Sequence, residues 1–407
     1  MTRVYDFCVK SKKEKRIDLD PDSAADGSGG FFMPSNADKK REFACEKAKS
    51  ALKLYGCNNG AVMLCEDGFL YSLSESGAKL LIGHKFCSPP VVFDVRYKGS
   101  DYIAASDRTR VFISGRTFGT PNLPAGSAYA FAGGRLFCAD GNLIRFVKTA
   151  AFTDSGSEEE ENIRLDEEIT ALQSDGEKII VFCATLIYEL TVKGDSADFI
   201  LKKTAVTDYP VKRGTVKKVG EKIYFLSADN IYEYYGGKIT LKAALKEDLT
   251  EYKEAFVFGG KYFIPAVKSG EEVLICFDPQ NADCIFISSA GLIFCDGGTA
   301  VEPSTGKAGD FHTMVIGKDA SWKSKRLDFG SDGNKHLTGI SVDASADVTV
   351  KIEGAFGCKN FMLAANSGRR RLNLVSDKFT LTISGKDKRV APRVTSVRLY
   401  YREKDKL

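Results

Sequence analysis

Five aspartates, Asp67, Asp107, Asp140, Asp229 and Asp296, stand between short apolar runs, and carboxylates that converge in space are what glycoside cleavage requires. At a hairpin turn, however, Asp is chosen for its tolerance of positive φ and its Asx hydrogen bond, and the turn reading is preferred for this set. His84, His312 and His336 lie far apart, none at metal-ligand spacing with Cys or another His. Eleven Cys are scattered without a C-x-x-C; Cys65, Cys138, Cys183, Cys276 and Cys295 occupy apolar strand positions and read as small core residues in a reducing compartment. The consecutive acids Glu158 to Glu161 lack the alternation of a Ca²⁺ loop and read as a solvated surface loop. No G-x-S-x-G, H-E-x-x-H, P-loop or G-x-G-x-x-G occurs. The expectation is a chain with no catalytic residue, no metal and no cofactor.

The most concentrated charge is basic: Arg369, Arg370 and Arg371, joined by Lys386, Lys388, Arg389 and Arg393. From Ala320 to Leu407 there are 18 Lys/Arg against 9 Asp/Glu, a balance of +9 that leaves −5 for the rest of a chain of net charge +4. A solvated face, a contact with an acidic neighbouring subunit, and nucleic acid are the readings open to it. Single-strand binders interleave aromatic residues with basic ones, and this cluster has none. A second candidate contact is the apolar clip Gly30-Phe31-Phe32-Met33-Pro34, in which Phe31 and Phe32 are flanked by polar, glycine-rich sequence. Trp322, the only tryptophan, opens the last third of the chain and reads as an interdomain core residue rather than a sugar platform.

Short strands around tight turns must position all of these. One phrase recurs: two apolar residues, a small residue, a turn residue, then alternating apolar and aromatic residues. It appears around Asp67, Asp107, Asp140, Thr185 and Asp229, at separations of 40, 33, 45 and 44 residues, more weakly at Ile264 to Ile275, and finally at Phe294-Cys295-Asp296-Gly297. Each copy is a hairpin, and a hairpin alone cannot bury its apolar faces; a period near 40 fits propeller blades that share cores with their neighbours. The fold class expected is all-β: a β-propeller of five to seven blades over 51–316, then a C-terminal antiparallel β-sandwich over 317–407 built from six strands with period-two alternation. Residues 1–50 are poor in apolar surface and read as an extended arm, which either closes the propeller by donating a strand or reaches a neighbouring subunit. Helical periodicity is weak, with Lys40 to Leu52 the best candidate and one turn expected within Ala243 to Tyr252.

With 43% hydrophobic residues the chain can bury a large core, and its longest apolar stretch, Ile179 to Tyr188, is about half a membrane span. The N-terminus has no signal-peptide-like apolar run, so a soluble chain without membrane insertion is expected.

The stretch from Trp322-Lys323-Ser324-Lys325-Arg326-Leu327-Asp328-Phe329-Gly330, through the Val348 to Gly354 strand and Arg371-Leu372-Asn373-Leu374, to Thr395-Ser396-Val397-Arg398-Leu399-Tyr400-Tyr401-Arg402 resembles the C-terminal sandwich of virion proteins from tailed bacteriophages. The layout, propeller then sandwich, is similar to the nozzle and tail-hub adaptor proteins that ring the DNA exit of short-tailed phages. The resemblance implies a non-enzymatic ring component of a virion tail, assembled in the host cytoplasm. Its partners would be copies of itself, other tail or connector proteins, and DNA passing without sequence-specific binding. It carries no catalytic residue over; Phe31, Phe32, Arg369, Arg370, Arg371, Lys388 and Arg389 are the candidate subunit contacts. The rival from another class is a glycan-binding or glycan-cleaving propeller at a cell surface.

Overall fold

A computed structural model describes residues 3–7, 14–19, 42–97, 100–115, 123–148, 161–245, 249–280, 283–289, 291–310, 314, 321–324, 326–329, 333–344, 346–385 and 394–403. Nearly all of the regular structure is antiparallel strand.

Among the described residues seven small sheets follow one another along the chain. The first is Ala51–Cys57, Gly60–Cys65, Leu70–Ser74 and Gly77–Ile82; the second is Val91–Tyr97, Ser100–Ser106 and Val111–Ile113. The third is Ala128–Ala132, Arg135–Asp140, Leu143–Lys148 and Glu161–Arg164; the fourth is Ile169–Asp175, Lys178–Cys183, Leu186–Thr191 and Ile200–Val206. The fifth is Lys217–Val219, Lys222–Ser227, Asn230–Tyr235 and Lys238–Ala244. In the sixth, Leu249–Tyr252 and Phe256–Phe258 both pair with Lys261–Lys268, and Glu271–Asp278 and Asp283–Ser288 follow. The seventh is Ile293–Phe294, Thr299–Glu302 and Lys307–Asp310, completed by Glu42–Ala44 from the start of the chain, with Phe43 opposite Ala308.

The cores lie between consecutive sheets, as a propeller requires. Tyr55, Val62 and Leu64 of the first sheet pack with Ile103 and Ala105 of the second. Val95 and Ala104 meet Leu136 and Val147 of the third, Phe137 and Ile144 meet Ile179 and Val181 of the fourth, and Phe182 meets Ile223 and Phe225 of the fifth. Tyr224 and Tyr262 (6.0 Å) join fifth to sixth, and Phe256 stacks 5.3 Å from Phe294 of the seventh. Val301 and Ala308 then pack with Leu54 and Met63 of the first sheet. The protein is an all-β chain with a β-propeller. Second strands such as Lys178–Cys183 are covered on both faces beyond their first residue and are apolar from there on; outermost strands such as Ile200–Val206 are largely exposed.

By contact density the chain divides into two compact units: Arg41–Gly270 with Gly291–Phe311, and Met1–Lys40 with Glu271–Ala290 and His312–Leu407. In the latter unit two antiparallel sheets share one core. One runs in the order Arg3–Phe7, Glu14–Leu19, Val394–Glu403, Lys335–Ala344, Arg370–Ser376; the other runs Ser321–Lys323, Phe379–Gly385, Val348–Gly354, Gly357–Leu363. Ile17, Leu337, Ile340 and Leu399 from the first meet Val350, Ile352, Leu381 and Ile383 from the second.

Several expectations need correcting. Arg3–Phe7 and Glu14–Leu19, expected within an extended arm, pair in the five-stranded sheet; Glu42–Ala44 is the donated strand of the first of the two readings of this segment, completing the seventh propeller sheet. The mixed charge of Glu14–Leu19 hides a strand with a buried face whose partner, Val394–Glu403, stands near the other end of the chain. Within Lys40 to Leu52 there is a 3-10 turn at Glu46–Ser50, not an α-helix, and Leu249–Tyr252 is a strand. The last repeat phrase is out of phase. Asp67, Asp107, Thr185 and Asp229 lie between second and third strands and Asp140 ends its second strand, whereas Asp296 lies between the first and second strands of its sheet.

Candidate functional site

That phase difference gives Asp296 different partners. Asp67 Oδ1 accepts from its own turn, from Phe69 N (3.1 Å), and Asp107 Oδ1 accepts from Thr109 N and Arg110 N (2.8 and 2.7 Å). Asp229 has φ 57°, and its Oδ1 accepts from Tyr252 OH; Asp140 pairs with Arg145 at 2.9 Å. Asp296 instead accepts from Val257 N of the sixth sheet (2.8 Å) and from Lys217 Nζ of the fifth (2.6 Å).

Lys217 opens the first strand of the fifth sheet. Its approach is fixed by Thr215, whose Oγ1 donates to Lys212 O and accepts from Leu226 N, and whose carbonyl accepts from the fully buried Tyr262 OH (2.5 Å). Glu254 stands just before Phe256–Phe258, held by Lys253 N donating to Pro265 O and Ala255 N donating to Gly214 O. Its Oε1 lies 3.7 Å from Lys217 Nζ, and its Oε2 lies 2.7 Å from Nζ of Lys53, on the first strand of the first sheet. Lys53, Glu254, Lys217 and Asp296 thus form a chain of alternating charge that joins the first, fifth, sixth and seventh sheets at their innermost strands.

The surroundings are tight. A Cβ on Gly56 would fall 2.2 Å from the Asp296 carbonyl oxygen, and one on Gly298 the same distance from the Phe258 ring, so only glycine fits at either place. Gly297 and Gly298 take φ 84° and 77°, turning the chain back beneath Asp296. Lys53 Nζ also lies 4.8 Å from the ring centroid of Tyr55, whose buried hydroxyl has no hydrogen-bond partner among the described residues.

Burial alone would push the Glu254 carboxyl up, but the ammonium groups of Lys217 and Lys53 outweigh it and hold the acid below its ordinary value. Burial likewise works against the charged form of Lys217, and Asp296 and Glu254 overcome it, raising the lysine. A general acid for glycoside cleavage needs its carboxyl raised; Glu254 is shifted the other way. The arrangement ties sheets together and keeps its charges paired.

The remaining sequence candidates are dispersed. His84 stacks on Phe112 (centroids 3.8 Å apart), with Nε2 3.8 Å from Asp107 Oδ2, and His336 Nε2 lies 2.8 Å from Asn373 Oδ1. Cys65, Cys138, Cys183, Cys276 and Cys295 are buried and outside any disulfide, and burial pushes Cys183 and Cys295 up to about 12. Trp322 stands opposite Ile383 in strand register. Arg369 makes two bonds to Glu14, Nη1 to Oε2 (2.9 Å) and Nη2 to Oε1 (2.6 Å), and stacks 4.0 Å over the Tyr400 ring. It ties Glu14–Leu19 into the five-stranded sheet from within the chain. Arg370 lies 4.6 Å over Phe361 and donates to Met362 O; Arg371 is exposed. Phe31, Phe32, Lys388, Arg389, His312 and Glu158 to Glu160 lie outside the described residues.

No protein-family model matches the chain, and neither does any curated protein sequence. Similar solved structures include the computationally designed Ika8 protein (10% identity, 67% of this chain and 99% of that one, TM-score 0.42). PorZ, a bacterial surface component of the type-IX secretion system of Porphyromonas gingivalis, shares 15% identity over 80% of this chain and 46% of its own, with TM-score 0.41. Kluyveromyces lactis Hsv2 shares 11% over 59% and 85%, with TM-score 0.39. Likeness at these TM-scores adds nothing to the fold established by strand pairing and nothing about activity.

Proposed function

We propose that this chain is a non-enzymatic structural subunit of a bacteriophage tail, of the nozzle or hub-adaptor type, in which copies assemble into a ring around the DNA path. The observation that carries the reading is the paired charge chain Lys53–Glu254–Lys217–Asp296 at the innermost strands. The polar groups most favourably placed for chemistry are used to lock the sheets to one another, which suits a rigid scaffold. The charge split, +9 from Ala320 to Leu407 against −5 elsewhere, suits head-to-tail packing of identical subunits, with a basic face against an acidic one. Native mass spectrometry of the full chain tests this. A single closed multiple of the 44.5 kDa chain is the expected result. A monomer at all concentrations, together with saturable binding or turnover on a glycan panel, would replace this reading with the glycan-directed propeller.

A further inference from the structure

The second propeller sheet has three strands among the described residues, where every other propeller sheet has four or five. Its last strand, Val111–Ile113, is buried like a third strand and not like an outermost one. Val111 and Ile113 are 8% and 3% exposed, in keeping with the third strands Leu186–Thr191 and Asn230–Tyr235, whereas the outermost Ile200–Val206 and Lys238–Ala244 are largely open. Hydrogen bonding fixes which groups face outward. Asp107 N donates to Arg110 O (3.1 Å) and Ser114 N donates to Ile103 O (2.9 Å). Hydrogen-bonded pairs alternate along an antiparallel ladder, so Ala105 and Phe112 form the one between them. Val111 and Ile113 therefore turn N–H and C=O to the outer edge, where no strand pairs with them among the described residues. Backbone groups of residues so buried are nearly always paired.

The sequence Val111-Phe112-Ile113 holds none of the charges that guard an open edge. Strand addition is already used elsewhere in this fold, since Glu42–Ala44 completes the seventh sheet from a distant part of the chain. The chain's own continuation, 116–122, lies outside the described residues, and its Gly119 and Pro121 are poor strand formers. At the turn that leads into Val111 stand the exposed Arg108 and Arg110, neither in an ion pair among the described residues. The nearby acid is engaged: Asp107 accepts from Thr109 N and Arg110 N and lies 3.8 Å from His84 Nε2.

We propose that this edge takes an extended segment of a partner protein as its fourth strand, antiparallel like the fourth strands of the other sheets and acidic at its C-terminal end. Its main chain would pair with the outward groups of Val111 and Ile113. Its acids would meet Arg110 and Arg108, because an antiparallel strand ends beside the turn from which its neighbour starts. Strand addition takes affinity from the main chain and selectivity from the side chains. The inference does not rest on the virion reading.

The test uses the full chain and fluorescein-labelled decapeptides of alternating Thr and Val that end in two Glu, end in two Lys, or begin with two Glu, followed by fluorescence anisotropy. The peptide ending in Glu should bind about tenfold or more tightly than either of the others, with a smaller margin at high salt. Arg110→Glu should reverse the order of the Glu-ending and Lys-ending peptides; should that variant fail to fold, Arg110→Ala should shrink the difference between them. The bound Glu-ending peptide should slow amide hydrogen exchange at Val111 and Ile113 and leave Phe112, already paired, unchanged. Equal binding of the three peptides, or an unchanged preference in the folded variant, would overturn the proposal. So would amides of Val111 and Ile113 as protected in the free chain as that of Phe112, since the chain itself would then fill the edge. A native-mass dimer that Arg110→Glu abolishes would overturn it too, the occupant then being a second copy of this chain.

Discussion

Lys217 Nζ lies 2.6 Å from Asp296 Oδ2, joining the fifth propeller sheet to the seventh past the sixth that stands between them in the chain. With its side chain only 19% exposed, this lysine bridges two carboxylates, Asp296 at 2.6 Å and Glu254 at 3.7 Å. Lys217→Met should lower stability by about 2 kcal/mol, below the full cost of breaking a buried pair because Asp296 and Glu254 remain partly solvated. Lys217→Met combined with Asp296→Leu should recover part of that loss in urea unfolding. A double variant whose loss equals the sum of the two single losses would mean the pair is not a unit.

The same cluster sets a pH dependence. Glu254 is held below its ordinary 4.5 in the folded chain, so its contribution is complete above that value and is lost as pH falls through the folded value. Lys217 is raised above 10.5, so its contribution is present below that value and is lost as pH rises through the folded value. Glu254→Gln should be less stable than wild type near neutral pH, with the two curves converging under acid. Parallel curves across an acid titration of thermal stability would remove Glu254 from the linkage.

The local parts of this fold are legible in the chain. Asp67 and Asp107 cap their own turns, a chemistry confined to four residues, and the apolar second strands announce themselves because both faces are covered. Pairings across long separations are not legible: Lys217 and Asp296 are 79 residues apart, and Glu14 and Arg369 are 355 apart. The turn phrase at Asp296 resembles the others closely enough to conceal its different place in the sheet. The strand Gly357–Leu363 escapes detection because Gly-Cys-Lys-Asn lacks alternation, being an edge exposed on most sides.

Close approach makes Gly56 irreplaceable. An added methyl meets the Asp296 backbone at 2.2 Å, and backbone yields far less readily than a side-chain tip. Gly56→Ala should cost about 1–3 kcal/mol, measured as a lower urea midpoint at unchanged slope, while Gly60→Ala, strained only by its φ of 122°, should relieve no contact and report backbone strain alone.

Arg369 and its two neighbours should separate cleanly. Arg369→Ala removes the clamp on Glu14, whose residue is 9% exposed, and should cost about 1–2 kcal/mol and raise hydrogen exchange across Glu14–Leu19. Arg371→Glu should leave exchange in that strand unchanged. Equal effects from both would mean that net charge, not the Glu14 pair, controls the strand.

Negative-stain electron microscopy of the purified full chain tests the assembly reading most directly. Class averages of closed rings with one fixed subunit number and a central opening are the predicted result. A field of isolated single-chain particles at every concentration and salt condition tried would contradict it.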